Sequence, residues 1–138
     1  MIGQEDQVLT EQTELLLHQF AYGCYQNGLF EKATRTFQLL TMFRATDFRY
    51  WYGLGSALMA WNKESEAIQP FRIASVLAKE DPRPRIYLAE CLIHEGKKEE
   101  AIIILSEAEE LLNNQANASL QKHIQMIKER NLKQEIPI

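Results

Sequence analysis

The chain repeats itself at intervals of 34 residues. Ala33, Ala67 and Ala101 stand at one register, and Phe37, Phe71 and Leu105 follow them by four positions. Leu40, Ala74 and Ala108 follow by seven, while Gly28, Asn62 and Gly96 precede the alanines by five. A period of this length marks one supersecondary unit that buries its apolar face only by stacking on its neighbours. A small residue recurring inside each unit is what two helices need where their backbones cross closely. Glycine or asparagine five residues earlier suits the left-handed backbone that ends a helix without a side-chain clash. The pattern therefore predicts an all-α chain of three helix pairs, and binding before catalysis.

Apolar spacing places first helices at 14–27, 48–61 and 82–95, and second helices at 30–43, 64–77 and 98–112. Trp51, Leu54 and Gly55 have a W-x2-L-G spacing, and with the period they resemble the tetratricopeptide repeat (TPR). That resemblance implies an α-α superhelix of three tandem repeats, 14–47, 48–81 and 82–115, with the first helices lining a concave face. Asp81 is suited to cap the fifth helix, with Pro82 and Pro84 in a first turn where a missing N–H costs nothing. Pro70 falls inside the fourth helix and predicts a kink or local irregularity there. Leu120, Ile124 and Ile127 form a stripe at i, i+4 and i+7, which predicts a seventh, amphipathic helix within 116–133 that caps the stack. The polar segment 1–13 reads as a further cap on repeat one or a partner contact, and 134–138 as a frayed tail.

Composition narrows the function. A chain of 138 residues with 46% hydrophobic and 25% charged residues fits one domain. There is no long apolar run and no basic stretch followed by an apolar core, which predicts neither a membrane span nor a secretory signal and points to the cytosol. A net charge of −4 argues against a nucleic-acid footprint. Cys24 and Cys91 are expected to be reduced packing residues. His18, His94 and His123 have no partners at metal-ligand spacing, and neither a nucleophile motif nor a phosphate loop is present, so no enzyme, cofactor or metal is expected. Asn117, Ala118 and Ser119 match a glycosylation acceptor, which has no meaning without a secretory signal. Glu99, Glu100, Glu107, Glu109 and Glu110 read as the solvated face of the sixth helix.

One face of each first helix recurs at i, i+3 or i+4, and i+7. In repeat one it carries Leu15, His18, Tyr22 and Tyr25. Advancing by 34 gives Arg49, Tyr52, Ser56 and Met59, and by 68 gives Arg83, Ile86, Glu90 and Ile93. Aromatic residues with arginines at the rim dominate peptide interfaces, so an extended hydrophobic peptide is the expected ligand. Phe20, Phe37, Trp51 and Phe71 are assigned instead to packing between helices.

Beyond the repeat, four stretches resemble the class II chaperones of type III secretion systems, which hold translocator proteins. They are Leu17 to Gly28 (LHQFAYGCYQNG), Phe30 to Phe37 (FEKATRTF), Phe48 to Ala57 (FRYWYGLGSA) and above all Asp81 to Leu92 (DPRPRIYLAECL). The resemblance spans about residues 14 to 130. It implies a cup of three TPRs in the bacterial cytosol that masks an extended segment of a secreted translocator, or of an effector, until release at the secretion apparatus. The family's groove aromatics fall on His18, Tyr22, Tyr25 and Tyr52, with histidine where an aromatic is usual. Family members often self-associate through a longer N-terminal helix, so a homodimer stays open. A chaperone of the needle subunit and a general TPR adaptor are the alternatives. A carboxylate clamp for a heat-shock chaperone would need Lys and Asn where His18, Tyr22, Gly53, Arg83 and Tyr87 stand, and only Arg83 fits. A purely structural scaffold would require a groove filled by the chain's own N-terminus.

Overall fold

The structure, a computed structural model, describes residues 10–113 and 115–132. The expectations for residues 1–9 and for the tail 134–138 lie outside the described residues. Three helix pairs follow one another: α1 (Glu11–Gln26) with α2 (Phe30–Phe43), α3 (Phe48–Ala60) with α4 (Glu64–Leu77), and α5 (Arg83–His94) with α6 (Lys98–Leu112). A seventh helix, α7 (Ala118–Ile127), runs into a π-helical turn over Lys128–Leu132. Each helix packs on the next in sequence, and α7 lies against both α5 and α6. This is the expected α-α superhelix, with α7 closing its C-terminal end.

The same turn joins the two helices of every pair. Gly28, Asn62 and Gly96 have φ of 78°, 62° and 80°. In each case the N–H three residues past the helix bonds back to a carbonyl in the last turn: Leu29 to Cys24, Lys63 to Leu58 and Lys97 to Leu92, all at 2.8 Å. Those bonds satisfy carbonyls the helix end would leave orphaned. Only residues tolerant of the left-handed region fit, so the chain keeps glycine twice and asparagine once.

The repeated small residues sit where the helices cross. Ala33, Ala67, Ala101, Ala74 and Ala108 have no exposed surface, and Leu40, Phe37, Phe71 and Leu105 are buried beside them. Two glycines of α3 bring the backbones closer still. A Cβ on Gly53 would stand 2.4 Å from the ring of Phe37, and one on Gly55 would stand 2.8 Å from the ring of Phe71. Thus α3 is gripped by a phenylalanine from α2 and another from α4.

Capping follows the sequence where it is specific. Asp47 and Asp81 accept the N–H of Arg49 and Arg83 at 3.0 and 2.9 Å, opening α3 and α5. Thr10 accepts from Thr13 N–H, so α1 begins at Glu11, three residues before the sequence expectation. Around Pro70 the chain stays in a single helix, α4, with the ring buried in the core. Cys24 and Cys91 are free and buried, and burial pushes the Cys91 thiol up to about 12. The glutamates of α6 are more than a solvated face, because Glu100, Glu107 and Glu109 pair with Arg72, Arg85 and Lys128 from neighbouring segments.

Candidate binding groove

The first helices α1, α3 and α5 enclose an open groove of about 620 Å³. From α1 come His18, Tyr22 and Tyr25, and from α3 come Phe48, Arg49, Tyr52, Gly53, Ser56, Met59 and Ala60. Arg83 and Tyr87 enter from α5, while Phe37 and Phe71 reach in from the second helices behind. Eight of the twelve residues named from helical spacing therefore meet in one cavity: His18, Tyr22, Tyr25, Arg49, Tyr52, Ser56, Met59 and Arg83.

The other four lie elsewhere. Leu15 is 56% exposed and lines a separate recess with Glu11, Glu14, His18, Arg49 and Tyr50. Ile86 is fully buried in the core, and Ile93 is half-buried against it. Glu90 faces α7 instead, with Oε1 3.0 Å from Nε2 of His123. A constant offset of 34 is sound at α3, but by α5 the superhelix has turned the face, so that Tyr87, equivalent to Gly53, enters the groove in place of Ile86. The capping helix takes the C-terminal half of the α5 face. Phe20 is also corrected: assigned to packing, it is 54% exposed. Phe37 and Phe71 pack as expected, yet their rings also form part of the groove wall.

Tyrosine and phenylalanine rings run through the site as a ladder. Phe48 stacks on Tyr52 with centroids 5.4 Å apart, and Tyr52 meets Phe71 and Tyr87 edge-on at 6.0 and 6.2 Å. Phe71 stacks on Tyr87 at 5.8 Å, and Tyr87 meets His123 of α7 at 5.4 Å. Such pairs prefer these offset and edge geometries because the ring quadrupole disfavours a direct sandwich. On the α1 side His18 stands edge-on to Tyr50 at 5.1 Å, and Tyr25 to Phe30 at 5.7 Å. Among the described residues Tyr22 has no ring neighbour of this kind and is 55% exposed, an aromatic face open to a ligand.

Electrostatics keep this wall uncharged apart from two arginines. Burial, with Arg49 second, lowers the pKa of His18, so its ring is neutral at pH 7. Burial likewise raises the phenols of Tyr52 and Tyr87 above their ordinary value, which keeps both hydroxyls protonated. Arg49 and Arg83 are each folded back onto the aspartate two residues earlier. Arg49 donates from Nε and Nη2 to Asp47 at 3.1 and 2.8 Å, and Arg83 to Asp81 at 3.0 and 2.7 Å. The Arg83 guanidinium then lies 4.9 Å over the ring of Tyr52. Such a surface can bind apolar side chains and offer a few fixed donors.

No family model matches the chain. Low calcium response locus protein H of Yersinia pestis is 32% identical over 96 residues, which are 70% of this chain and 57% of that protein. The chain thus matches little more than half the length of that curated relative. The Yersinia enterocolitica type III secretion translocator chaperone SycD, solved with a peptide of the translocator YopD, is 30% identical with a TM-score of 0.83. That match covers 91% of this chain and 98% of the other. SycD has also been solved as an alternative dimer. PcrH of Pseudomonas aeruginosa, solved with the chaperone-binding region of PopD, is 25% identical over 94% of this chain and 98% of its own, with a TM-score of 0.85.

Proposed function

Because the chain belongs to the type III secretion translocator chaperones, we propose that its groove holds an extended hydrophobic segment of a secreted translocator and keeps that client soluble and secretion-competent in the bacterial cytosol. The observation that carries this reading is the aromatic groove itself, about 620 Å³, between α1, α3 and α5. A cavity of that size, walled by aromatic rings with a few polar groups, accepts several side chains of an extended chain. Among the described residues no helix is long and apolar enough to cross a membrane, in keeping with a chaperone that works in the cytosol. Masking needs no chemistry: the groove gives the client's apolar side chains a surface other than each other or the membrane.

The relatives solved with translocator segments favour a translocator over an effector or a needle subunit as the client. A homodimer belongs to the same proposal, since Leu16 and Phe20, one turn apart on α1, are 65% and 54% exposed.

Co-expression with the secreted proteins of the same bacterium, followed by proteolysis of the recovered complex, tests the reading. Mass spectrometry should find one extended apolar segment of a translocator protected. Protection of a C-terminal helix in a small needle subunit would replace the translocator by that client. Recovery of a cytosolic partner alone would leave a general adaptor.

A further inference from the structure

The groove has a charge that the rest of the molecule does not. The whole chain is acidic, with a formal net charge of −4, yet no aspartate or glutamate is among the described residues that line the groove. Its charged groups are Arg49 and Arg83. They occupy equivalent positions 34 residues apart and are held in the same way. In each, the capping aspartate takes the Nε and Nη2 edge of the guanidinium, fixing its plane. Neither Nη1 has an acceptor among the described residues. The side chains remain 58% and 46% exposed, while Asp47 and Asp81 are 25% and 22% exposed and do not line the groove. Each pair is therefore a fixed dipole with its positive end at the groove and its negative end at a helix N-terminus. Glu14, at the α1 edge, also acts on Arg49, but its carboxylate is bonded by the Tyr50 hydroxyl and by Arg44 at 2.9 Å.

Resting on the reading of the groove as a client site, we infer that the client segment is not merely apolar but carries a carboxylate, received by the free Nη1 edges of Arg49 and Arg83, and that lysine and arginine are excluded from its central part. A guanidinium already fixed by its aspartate loses little rotamer freedom on binding, so the remaining N–H groups are pre-organised donors. A carboxylate is the matched acceptor, since charge-assisted bonds are the stronger ones. A basic side chain in the groove would meet the positive ends of the two pairs, since their aspartates do not line it.

The test begins with short overlapping peptides that tile the translocators YopD, PopB and PopD. They are probed with the purified chain, and binding windows are remade in soluble form for fluorescence anisotropy. Bound windows should hold Asp or Glu beside the apolar residues. Replacing that residue by its amide should weaken binding to the wild type about fivefold to tenfold, an effect reduced from full strength by the exposure of the arginines. The same replacement should change nothing for an Arg49→Gln, Arg83→Gln double variant whose circular-dichroism melt shows it folded. Acid and amide peptides bound equally well by the wild type, or lysine peptides bound as tightly, would overturn the inference and leave the groove reading intact. Absence of binding to every window would remove the groove reading and this one with it. The peptide replacements leave the protein untouched, so the result stands even where the double variant unfolds.

Discussion

Two tyrosines that share the groove differ in what their rings do. Tyr22 is 55% exposed, whereas Tyr52 is boxed by Phe48, Phe71, Tyr87 and the Arg83 guanidinium. Tyr22→Ala should shift the melting transition by less than about 0.5 kcal/mol while weakening client binding by about 1 to 2 kcal/mol. Tyr52→Ala should cost both, with about 2 kcal/mol or more of stability from the lost ring contacts. Denaturant melts beside client titrations decide this, and equal stability losses would mean the two rings share one role. Glycine makes a second contrast. Nothing lies within 4 Å of a Cβ on Gly23, but a Cβ on Gly53 meets the Phe37 ring, itself only 3% exposed and unable to retreat. Gly23→Ala should stabilise by about 0.5 to 1 kcal/mol through the unfolded chain. Gly53→Ala should instead give a net loss of about 1 to 2 kcal/mol, as overpacking outweighs the propensity gain. Matching signs in urea melts of the two variants would contradict the close approach of α2 to α3.

At the scale of the helix, α7 is the element whose effect on the groove was least legible. Its existence followed from Leu120, Ile124 and Ile127, of which Ile124 and Ile127 are buried. That it would cover the C-terminal half of α5 did not follow, because a stripe shows which face is apolar and not which neighbour receives it. Helical spacing consequently puts Glu90 in the groove and names Tyr87 only as a position of the carboxylate clamp, although Tyr87 stands at the Gly53 register, where a large ring in place of hydrogen must fill space. The left-handed turns at 28, 62 and 96 were legible because a single backbone requirement selects the residue type. Glu90 now carries a prediction of its own. Burial is the main cause that raises its carboxyl pKa, ahead of the opposing pull of His123, whose Nε2 lies 3.0 Å from Oε1. A carboxyl whose folded pKa lies above its unfolded value contributes stability below the unfolded pKa and loses it as pH rises through the folded one. The difference in melting temperature between wild type and Glu90→Gln should therefore move in favour of the variant as pH increases through that window. A difference that does not vary between mildly acidic and neutral buffer would mean the ion pair with His123 offsets the burial in full.

For the molecule as a whole, stability is a sum over neighbouring pairs, since each helix packs mainly on the next in sequence. The ion pairs Arg72 of α4 to Glu100 of α6 and Arg85 of α5 to Glu107 of α6 have side chains between 18% and 50% exposed, and pairs open to solvent in this way contribute about 0 to 1 kcal/mol each. The apolar crossings must then carry the coupling, and Ala67 is the central one. It has no exposed surface, and its helix α4 packs on both α3 and α5, so damage there reaches two interfaces. Ala67→Leu should overpack the crossing and cost roughly 1 to 3 kcal/mol. Ala101→Leu is chemically the same change at the same register, but in α6, whose neighbours are α5 and the cap α7. Native-state hydrogen exchange should separate the two. In Ala67→Leu, protection should fall in α3, α4 and α5 together, because the central pair cannot open without releasing both sides. In Ala101→Leu the loss should concentrate in α5, α6 and α7, leaving α1 and α2 near their wild-type protection. A uniform loss in both variants would mean that the stack unfolds as one unit, and full tolerance of Ala67→Leu would refute the shared register of the three alanines.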